Sequence, residues 1–262
     1  MFELPVQDIL MATLVFVRIG AILMSLPVFG EQAVPVRIRI ILSAGLTFGI
    51  YPLVPPQWLN SVPDDVVPFI LLVAKEVVVG LTIGFLAKII FEAMVMAASV
   101  VGFQMGFGTA SMMMPDMDPG ANSFTALHRI LVILIFLSLD LYQLFFKAVI
   151  ESFQYIPASS SFINGSISQI VVQVTAGMFL VSMQLAAPVL VALMFTMAAL
   201  GLLAKTVPQI NIFTISFPVS FFVGLLVYIA SLAFYPAWIR DHIFSGQDQI
   251  SASIKLLGVQ RQ

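Results

Sequence analysis

Long stretches without any charged residue constrain this chain most. Asp, Glu, Lys and Arg are all absent from Ser152–Ala204, from Thr206–Ile239 and from Ile40–Pro63. Charged residues make up 9% of the chain, against about 25% in a typical soluble domain, so polar groups cannot cover a water-facing surface. Apolar runs of about 20 residues are long enough to cross a bilayer as helices. The sequence therefore predicts an all-α, polytopic membrane protein.

Clusters of proline and glycine divide the apolar sequence into candidate helices. We find no repeat of fixed period and no separate soluble domain, so we expect a single membrane domain over residues 1–262. It would consist of kinked helices and helical hairpins, with a central loop at 106–122 and a short polar tail from about residue 240. The predicted helices are Ile9–Val28, Ile38–Tyr51, Val66–Phe91, Ala93–Met105, Arg129–Glu151, Ile167–Leu203 and Phe213–Trp238.

Charged residues inside several of these segments make them poorly suited to face lipid. Arg18 lies at the midpoint of the first apolar run, where an arginine costs roughly 2.5–3.5 kcal/mol in a membrane helix. Lys75, Glu76 and Asp140 also interrupt apolar segments. We therefore expect the helices to pack mainly against other protein, including partner subunits.

Two of the predicted helices have lengths that do not match one membrane crossing. Ile38–Tyr51 is too short to cross alone, since about 20 residues are needed. Ile167–Leu203 would measure about 55 Å as one straight helix, which is too long for one crossing. We expect a kink or a turn at Pro188, because proline removes a helical hydrogen bond.

Two charge pairs have the spacing of neighbours on one helix face. Lys88 and Glu92 are four residues apart, and so are Lys147 and Glu151. They either lie at helix ends near the membrane surface or, together with Arg18, pair within helices or between subunits. The spacing alone does not choose between these interpretations.

No enzyme signature is present in the sequence. His128 and His242 belong to no metalloprotease motif, and neither a phosphate-binding loop nor a dinucleotide fingerprint occurs. Asp116 and Asp118 lie among prolines, as in a turn. We therefore expect no catalytic residue, no metal and no cofactor. Basic clusters are also absent, which argues against binding to nucleic acid.

The central stretch GFGTASMMMPDMDPGANS, Gly106–Ser123, cannot continue as a helix because glycine and proline recur through it. Non-helical backbone at membrane depth is tolerated only where it is buried in protein or lines a water-filled cavity. Unbranched methionine side chains fill irregular gaps and repack easily. The stretch is therefore either a pore-sealing segment or an ordinary loop that covers the end of a helical bundle.

Three motifs together resemble one protein family. The central GFQMGFGTASMMMPDMDPGANS is similar to the central loop of the FliR family of flagellar export-gate proteins. The stretch GLLAKTVPQINIFTISFPVSFFVGL, Gly201–Leu225, resembles a second family motif, with Pro-Gln, Asn-Ile-Phe and Phe-Pro in order. VRIGAILMSLPVFGEQAVPVRIRIILS, Val17–Ser43, fits the N-terminal pattern. The resemblance covers nearly the whole chain.

The resemblance implies a non-enzymatic subunit of the flagellar type III export gate in the bacterial inner membrane, within the flagellar basal body. It would join two other small apolar membrane proteins in a helical hetero-oligomer, contact further components of the export apparatus, and form part of the closed channel for unfolded export substrates. The family's central loop acts as a plug. By motif position, the implied plug residues are Phe107, Met112, Met113, Met114, Asp118 and Pro119, although the three methionines depart from the family pattern.

Three other functions remain open at this stage. The virulence-type secretion apparatus has a closely related subunit. A secondary transporter for an ion or small solute would explain the charges at Arg18, Lys75, Glu76 and Asp140 and the broken helices. However, we find no matched pair of interrupted segments in the two halves of the chain. A structural scaffold without a role in permeation is the third alternative.

Overall fold

The computed structural model describes residues 6–26, 34–56, 58, 63, 65–107, 123–140, 142–157, 166–207, 209 and 211–240. These residues form helices and connecting turns, and no strand occurs among them. The helices are α1 (Val6–Ser25), α2 (Val36–Ile50), α3 (Val66–Gln104), α4 (Ser123–Ser138), α5 (Tyr142–Tyr155), α6 (Ser166–Thr206) and α7 (Ile212–Leu232). A 3-10 turn, Tyr51–Leu53, follows α2, and residues 235–240 are again helical after α7. The predicted polar tail lies outside the described residues, apart from its first residue.

Among the residues that the structure describes, five segments are long and apolar enough to cross a membrane, which confirms the all-α polytopic prediction. The segments are Val6–Ser25, Val36–Leu53, Val66–Gln104, Val171–Thr206 and Thr214–Leu232. The shorter apolar helix Phe124–Ser138 accompanies them. Packing against partner subunits stays a prediction.

Two long helices run through positions where the sequence suggested interruptions. The predicted break between Phe91 and Ala93 is wrong, because α3 continues through Glu92 without a gap. The carboxylate of Glu92 lies 3.6 Å from Arg129 Nη2 of α4, so this charge has a partner beside the helix and need not end it. In α6, Pro188 lies inside one continuous helix and no turn occurs there.

The predicted helix Arg129–Glu151 is in fact two helices, α4 and α5. Asp140 lies between them with φ +54°, a left-handed conformation that a helix interior excludes but Asp tolerates better than most residues. The amide of Gln143 donates to the carbonyl of Asp140 (3.0 Å) and begins α5. The predicted helix Phe213–Trp238 is likewise interrupted, by a turn at 233–234.

The chain divides into two compact units. It passes between them inside α3, after Ile90, between α4 and α5, after Leu139, and inside α6, after Thr175. The first unit contains α1, α2, α5 and the beginnings of α3 and α6. The second contains α4, α7 and the remainder of α3 and α6. The single-domain expectation stays a prediction.

Close contact between α1 and α3 organises the first unit. A Cβ atom added to Gly80 would lie 2.7 Å from the carbonyl oxygen of Arg18 and 2.7 Å from Cβ of Ala21. One turn later, a Cβ on Gly84 would lie 2.5 Å from Cβ of Ser25. Glycines four residues apart let two helix backbones approach, as they do in membrane helix pairs. The contact brings the middle of α1 against α3 and buries Arg18 completely.

Candidate functional site

The structure describes one of the six predicted plug residues. Phe107 ends the described part of the chain that follows α3, and the next described residue is Ser123 at the start of α4. The other five lie outside the described residues, and their role stays a prediction: Met112, Met113, Met114, Asp118 and Pro119. The site is therefore built from the two chain ends that flank the central segment.

The first of these ends is fixed by the backbone of Gly106. The helical pattern finishes with the amide of Met105 donating to the carbonyl of Val101 (2.9 Å), and the amide of Gly106 then donates to Phe103 (3.0 Å). Gly106 has φ +98°, a conformation that residues with a side chain rarely adopt. Its α-carbon faces the ring of Phe217, because an added Cβ would lie 2.6 Å from Cδ2 of that ring. Glycine is therefore required at this position.

Aromatic rings then bring both ends of the central segment to one place. The ring of Phe107 stacks on Phe124, with centroids 5.8 Å apart and planes at 20°. It also meets Phe221 of α7 edge-on, with centroids 5.7 Å apart. Because Phe107 lies at the start of the central segment 106–122 and Phe124 follows its end, the segment begins and ends beside the same ring pair.

This arrangement joins two of the sequence motifs. Met105, Gly106 and Phe107 belong to the central motif, whereas Phe217 and Phe221 belong to the motif Gly201–Leu225. A Cβ atom on Gly224 of the second motif would lie 2.7 Å from Cγ of Met105. The glycines and phenylalanines of the two motifs are thus the groups through which the end of α3 packs on α7.

The aromatic contacts continue along α4 and α7 beyond the central segment. Phe124 meets Tyr228 edge-on, with centroids 4.8 Å apart. Nδ1 of His128 and the hydroxyl of Tyr228 form a 2.7 Å hydrogen bond, and both side chains are buried. The ring of Tyr235 lies 5.7 Å from His128. The start of α4 is therefore attached to α7 by both apolar and polar contacts.

A second cluster, in the first unit, surrounds Arg18. Its Nε donates to Oε2 of Glu76 on α3, and both side chains are fully buried. Its Nη1 donates to the carbonyl of Ser152 (2.9 Å) and its Nη2 to that of Ile156 (3.0 Å). Within the chain, Arg18 therefore pairs between helices, with α3 and the end of α5 supplying its partners. Its pairing between subunits stays a prediction.

Carbonyl groups at and just after the end of α5 accept hydrogen bonds from further donors in this cluster. The guanidinium carbon of Arg18 lies 4.6 Å from the ring centroid of Trp58 and 4.8 Å from that of Phe153. Nε1 of Trp58 donates to the carbonyl of Phe153 (3.1 Å), and Nζ of Lys75 donates to that of Pro157 (3.3 Å). Carbonyl groups at a helix C-terminus carry partial negative charge, which these donors neutralise.

The remaining predicted charge pairs lie nearer the surface. Nζ of Lys147 lies 3.9 Å from Oε1 of Glu151, and the lysine side chain is 61% exposed. Glu92 has Arg129 as an ion-pair partner from another helix, while Lys88 is exposed. The functional role of these pairs stays a prediction.

Comparison with known proteins identifies the family. The family model for bacterial export proteins, family 1, matches residues 9–245. The chain belongs to this family. The flagellar biosynthetic protein FliR of Pectobacterium carotovorum subsp. carotovorum is 29% identical over 239 residues, covering 91% of this chain and 90% of the relative. FliR of Bacillus subtilis is 28% identical over 235 residues, covering 88% of this chain and 89% of the relative. The Yop proteins translocation protein T of Yersinia pestis is 29% identical over 222 residues, covering 83% of this chain and 84% of the relative.

The family match extends across both compact units and all three motifs, so it confirms the resemblance seen in the sequence. Sequence reasoning missed the aromatic contacts around Phe124, His128 and Tyr228. One signal was present: Phe217, Phe221 and Tyr228 follow one another at helical spacing, which places them along one side of α7.

Proposed function

We propose that this chain is a non-enzymatic subunit of the flagellar type III protein-export gate in the bacterial inner membrane, within the flagellar basal body. Membership of the bacterial export family supports this proposal, and relatives over nearly the full chain are flagellar biosynthetic proteins. The apolar helices are those of a multi-pass membrane protein. The chain would form part of a closed channel through which unfolded flagellar proteins pass.

The central segment 106–122 would be the plug of this channel. The observation that carries the assignment is the stack of Phe107 on Phe124, since it fixes both ends of the segment at one point. A segment whose two ends are held together would form a closed loop. Methionines at 112–114 would supply soft, adaptable contacts across a pore, and Asp118–Pro119 would keep the chain from becoming helical.

The proposed partners are two other small apolar membrane proteins in a helical hetero-oligomer, further components of the export apparatus, and unfolded export substrates. Large apolar side chains on the outside of the isolated chain agree with such an assembly. Phe48 is 88% exposed and Phe195 is 75% exposed. Lipid or a partner helix would cover these groups.

Affinity purification of the chain from its own membranes in mild detergent, followed by native mass spectrometry, tests the assembly. We expect one large complex that contains two other small, apolar proteins. A stable monomer or homodimer would contradict the export-gate proposal and would favour a transporter.

Deletion of residues 111–117 tests the plug. The assembled complex should become permeable to small ions, measured as conductance or as collapse of the membrane potential, while the complex still forms. Deletion of the seven C-terminal residues, 256–262, is the control of equal length and should leave permeability unchanged. Background conductance from a complex that assembles without residues 111–117 would leave a scaffold as the better description.

The virulence-type apparatus is the second candidate because the Yersinia pestis relative has the same identity, 29%, as the Pectobacterium carotovorum one, although over 83% of this chain and not 91%. Removing the chain from its own bacterium separates the two. Loss of swimming with normal secretion of virulence proteins is expected. The reverse result would assign the chain to the virulence apparatus.

A further inference from the structure

Helix α3 leaves one narrow and regular stripe of side chains exposed in the first unit. Between residues 71 and 88, all side chains are buried or half-buried except six, whose spacing alternates between three and four residues: Leu71, Ala74, Val78, Leu81, Phe85 and Lys88. We call these six residues the α3 seam. Even at its middle, Leu81 is 46% exposed, so the seam is open along its length of about 26 Å.

The spacing of the α3 seam indicates which shape of partner fits it. Exposed positions recur every 3.5 residues on average, which is the repeat of a left-handed coiled coil. A straight helix has 3.6 residues per turn, so the seam drifts slowly around α3, and a second helix follows it by crossing α3 at about 20°. Gly80 and Gly84, against which α1 packs, are buried and lie outside the seam. The seam therefore has the geometry to receive one further helix.

Lys88 favours protein over lipid as the occupant of the seam. It is exposed, and among the described residues no acidic side chain lies within ion-pair distance of its Nζ. Glu92, four residues later, has its carboxylate 3.6 Å from Arg129 instead. Lys88 also lies about 24 Å from the nearer end of α3. Hydrocarbon disfavours a lysine on such an apolar face, whereas a carboxylate on a neighbouring helix would pair with it.

We propose that the α3 seam binds a helix of one of the other small apolar subunits, and that this helix carries an Asp or Glu facing Lys88. This inference rests on the export-gate function proposed above, because it requires a hetero-oligomer. The five apolar residues of the seam would interdigitate with the partner helix. Their contacts nearly repeat after a shift of seven residues, so they do not fix the register. The ion pair does, because a shifted helix would leave both charges buried without a partner.

Site-specific photocrosslinking in the complex from the chain's own membranes identifies the occupant. The photoreactive residue p-benzoylphenylalanine replaces Leu81 in one variant and Phe85 in another, and the adducts are identified by mass spectrometry. We expect both positions to crosslink to one helix of the same subunit, at sites about one turn apart, with an acidic residue about one turn from the site reached by position 85. Adducts with lipid alone, with a second copy of this chain, or with a helix that lacks an acidic residue there would overturn the inference.

Substitution of Lys88 tests the ion pair. Lys88→Leu should lower the yield of assembled complex at least roughly tenfold, because the partner's carboxylate would be buried without its cation. Lys88→Arg keeps the charge and should retain the parental yield. Lys147→Leu is the matched control, since it removes a lysine that is 61% exposed on α5, and it should also retain that yield.

Thermal unfolding of the purified Lys88→Leu chain separates a lost partner from a defect in the chain itself. Its Tm should stay within a few degrees of the parent, since Lys88 has no ion-pair partner among the described residues. A large loss of Tm would place the effect in the fold of the chain and would overturn the ion pair between subunits. Parental yield of the Lys88→Leu complex would overturn it equally.

The outcomes also distinguish this inference from the proposed function. A parent chain that purifies as a monomer or homodimer would remove the export-gate proposal and the α3 seam with it. A parent complex that contains two other small apolar proteins, together with lipid adducts at positions 81 and 85, would refute the seam alone and leave the export-gate function standing.

Discussion

Replacing Arg18 by Leu is the perturbation with the largest expected effect on stability. The variant leaves the carboxylate of Glu76 fully buried without its ion-pair partner and removes the donors to the carbonyls of Ser152 and Ile156. Breaking a buried ion pair on one side costs about 3–5 kcal/mol because the other charge remains in an apolar surrounding. The carbonyl of Ser152 keeps one donor, the amide of Ile156 at 3.0 Å, so the cost there is smaller.

Thermal unfolding of the purified chain in detergent measures this effect. A destabilisation of about 4 kcal/mol lowers Tm by roughly 10 °C in a chain of this size. The double variant Arg18→Leu, Glu76→Leu removes both charges and should recover most of the loss, since a well-packed apolar pair can replace a buried ion pair. Lys88→Leu is the control, because it removes an exposed cation from α3 and should leave Tm within a few degrees.

The double-variant cycle also supplies the refutation. If Arg18→Leu unfolds at the parental temperature, the guanidinium does not stabilise the first unit. The single variant Glu76→Leu completes the cycle. If the double variant loses as much free energy of unfolding as Arg18→Leu and Glu76→Leu added together, the two residues act independently and the pair is not the stabilising element.

Two further predictions concern the first unit and use the same measurement. Gly80→Ala should lower Tm at a cost of about 1–3 kcal/mol, because its Cβ would lie 2.7 Å from a backbone oxygen of α1. Gly45→Ala is the control. It should be neutral or stabilising because nothing lies within 4 Å of the added atom. Equal changes at the two glycines would mean that close approach of α1 and α3 is not required. Lys147→Ala should change the free energy of unfolding by less than about 0.5 kcal/mol, since the lysine side chain is 61% exposed and lies 3.9 Å from Glu151. A larger loss would indicate a contact beyond this pair.

The fold class was predictable from the sequence because it depends on composition along the chain. Runs such as Thr206–Ile239 contain no charge, and only helices satisfy the backbone of such a run in a membrane. Interruptions were predicted less well, because the residues packed beside a helix influence whether it continues past a charged residue. Glu92 has Arg129 as a neighbour and the helix continues, whereas Asp140 adopts a left-handed conformation and separates α4 from α5. Neighbours of this kind are set by tertiary packing and not by local sequence.

The candidate site was predictable in its location but not in its contacts. Gly106 and Phe107 were identified from the central motif, and Phe217 and Phe221 belonged to a motif more than one hundred residues later. Helical spacing shows that Phe217, Phe221 and Tyr228 share one side of α7, yet it does not show which helix covers that side. The 5.7 Å contact between Phe107 and Phe221 supplies that information.

The cost of placing Arg18 in a membrane helix correctly predicted that protein surrounds it, but it did not predict which residue pairs with it. The distribution of polar and apolar groups explains why. Arg18, Glu76 and His128 are fully buried, while Phe48 and Phe195 are almost entirely on the outside. In a membrane there is little free energy to gain by hiding apolar side chains from lipid, so specific packing depends on small residues, rings and buried polar pairs. Each compact unit uses one such set: an arginine with its carboxylate and helix end in the first, and a histidine–tyrosine pair among phenylalanines in the second. An isolated arginine in the apolar sequence therefore required protein around it, but its partner is a carboxylate 58 residues away that only the fold brings near.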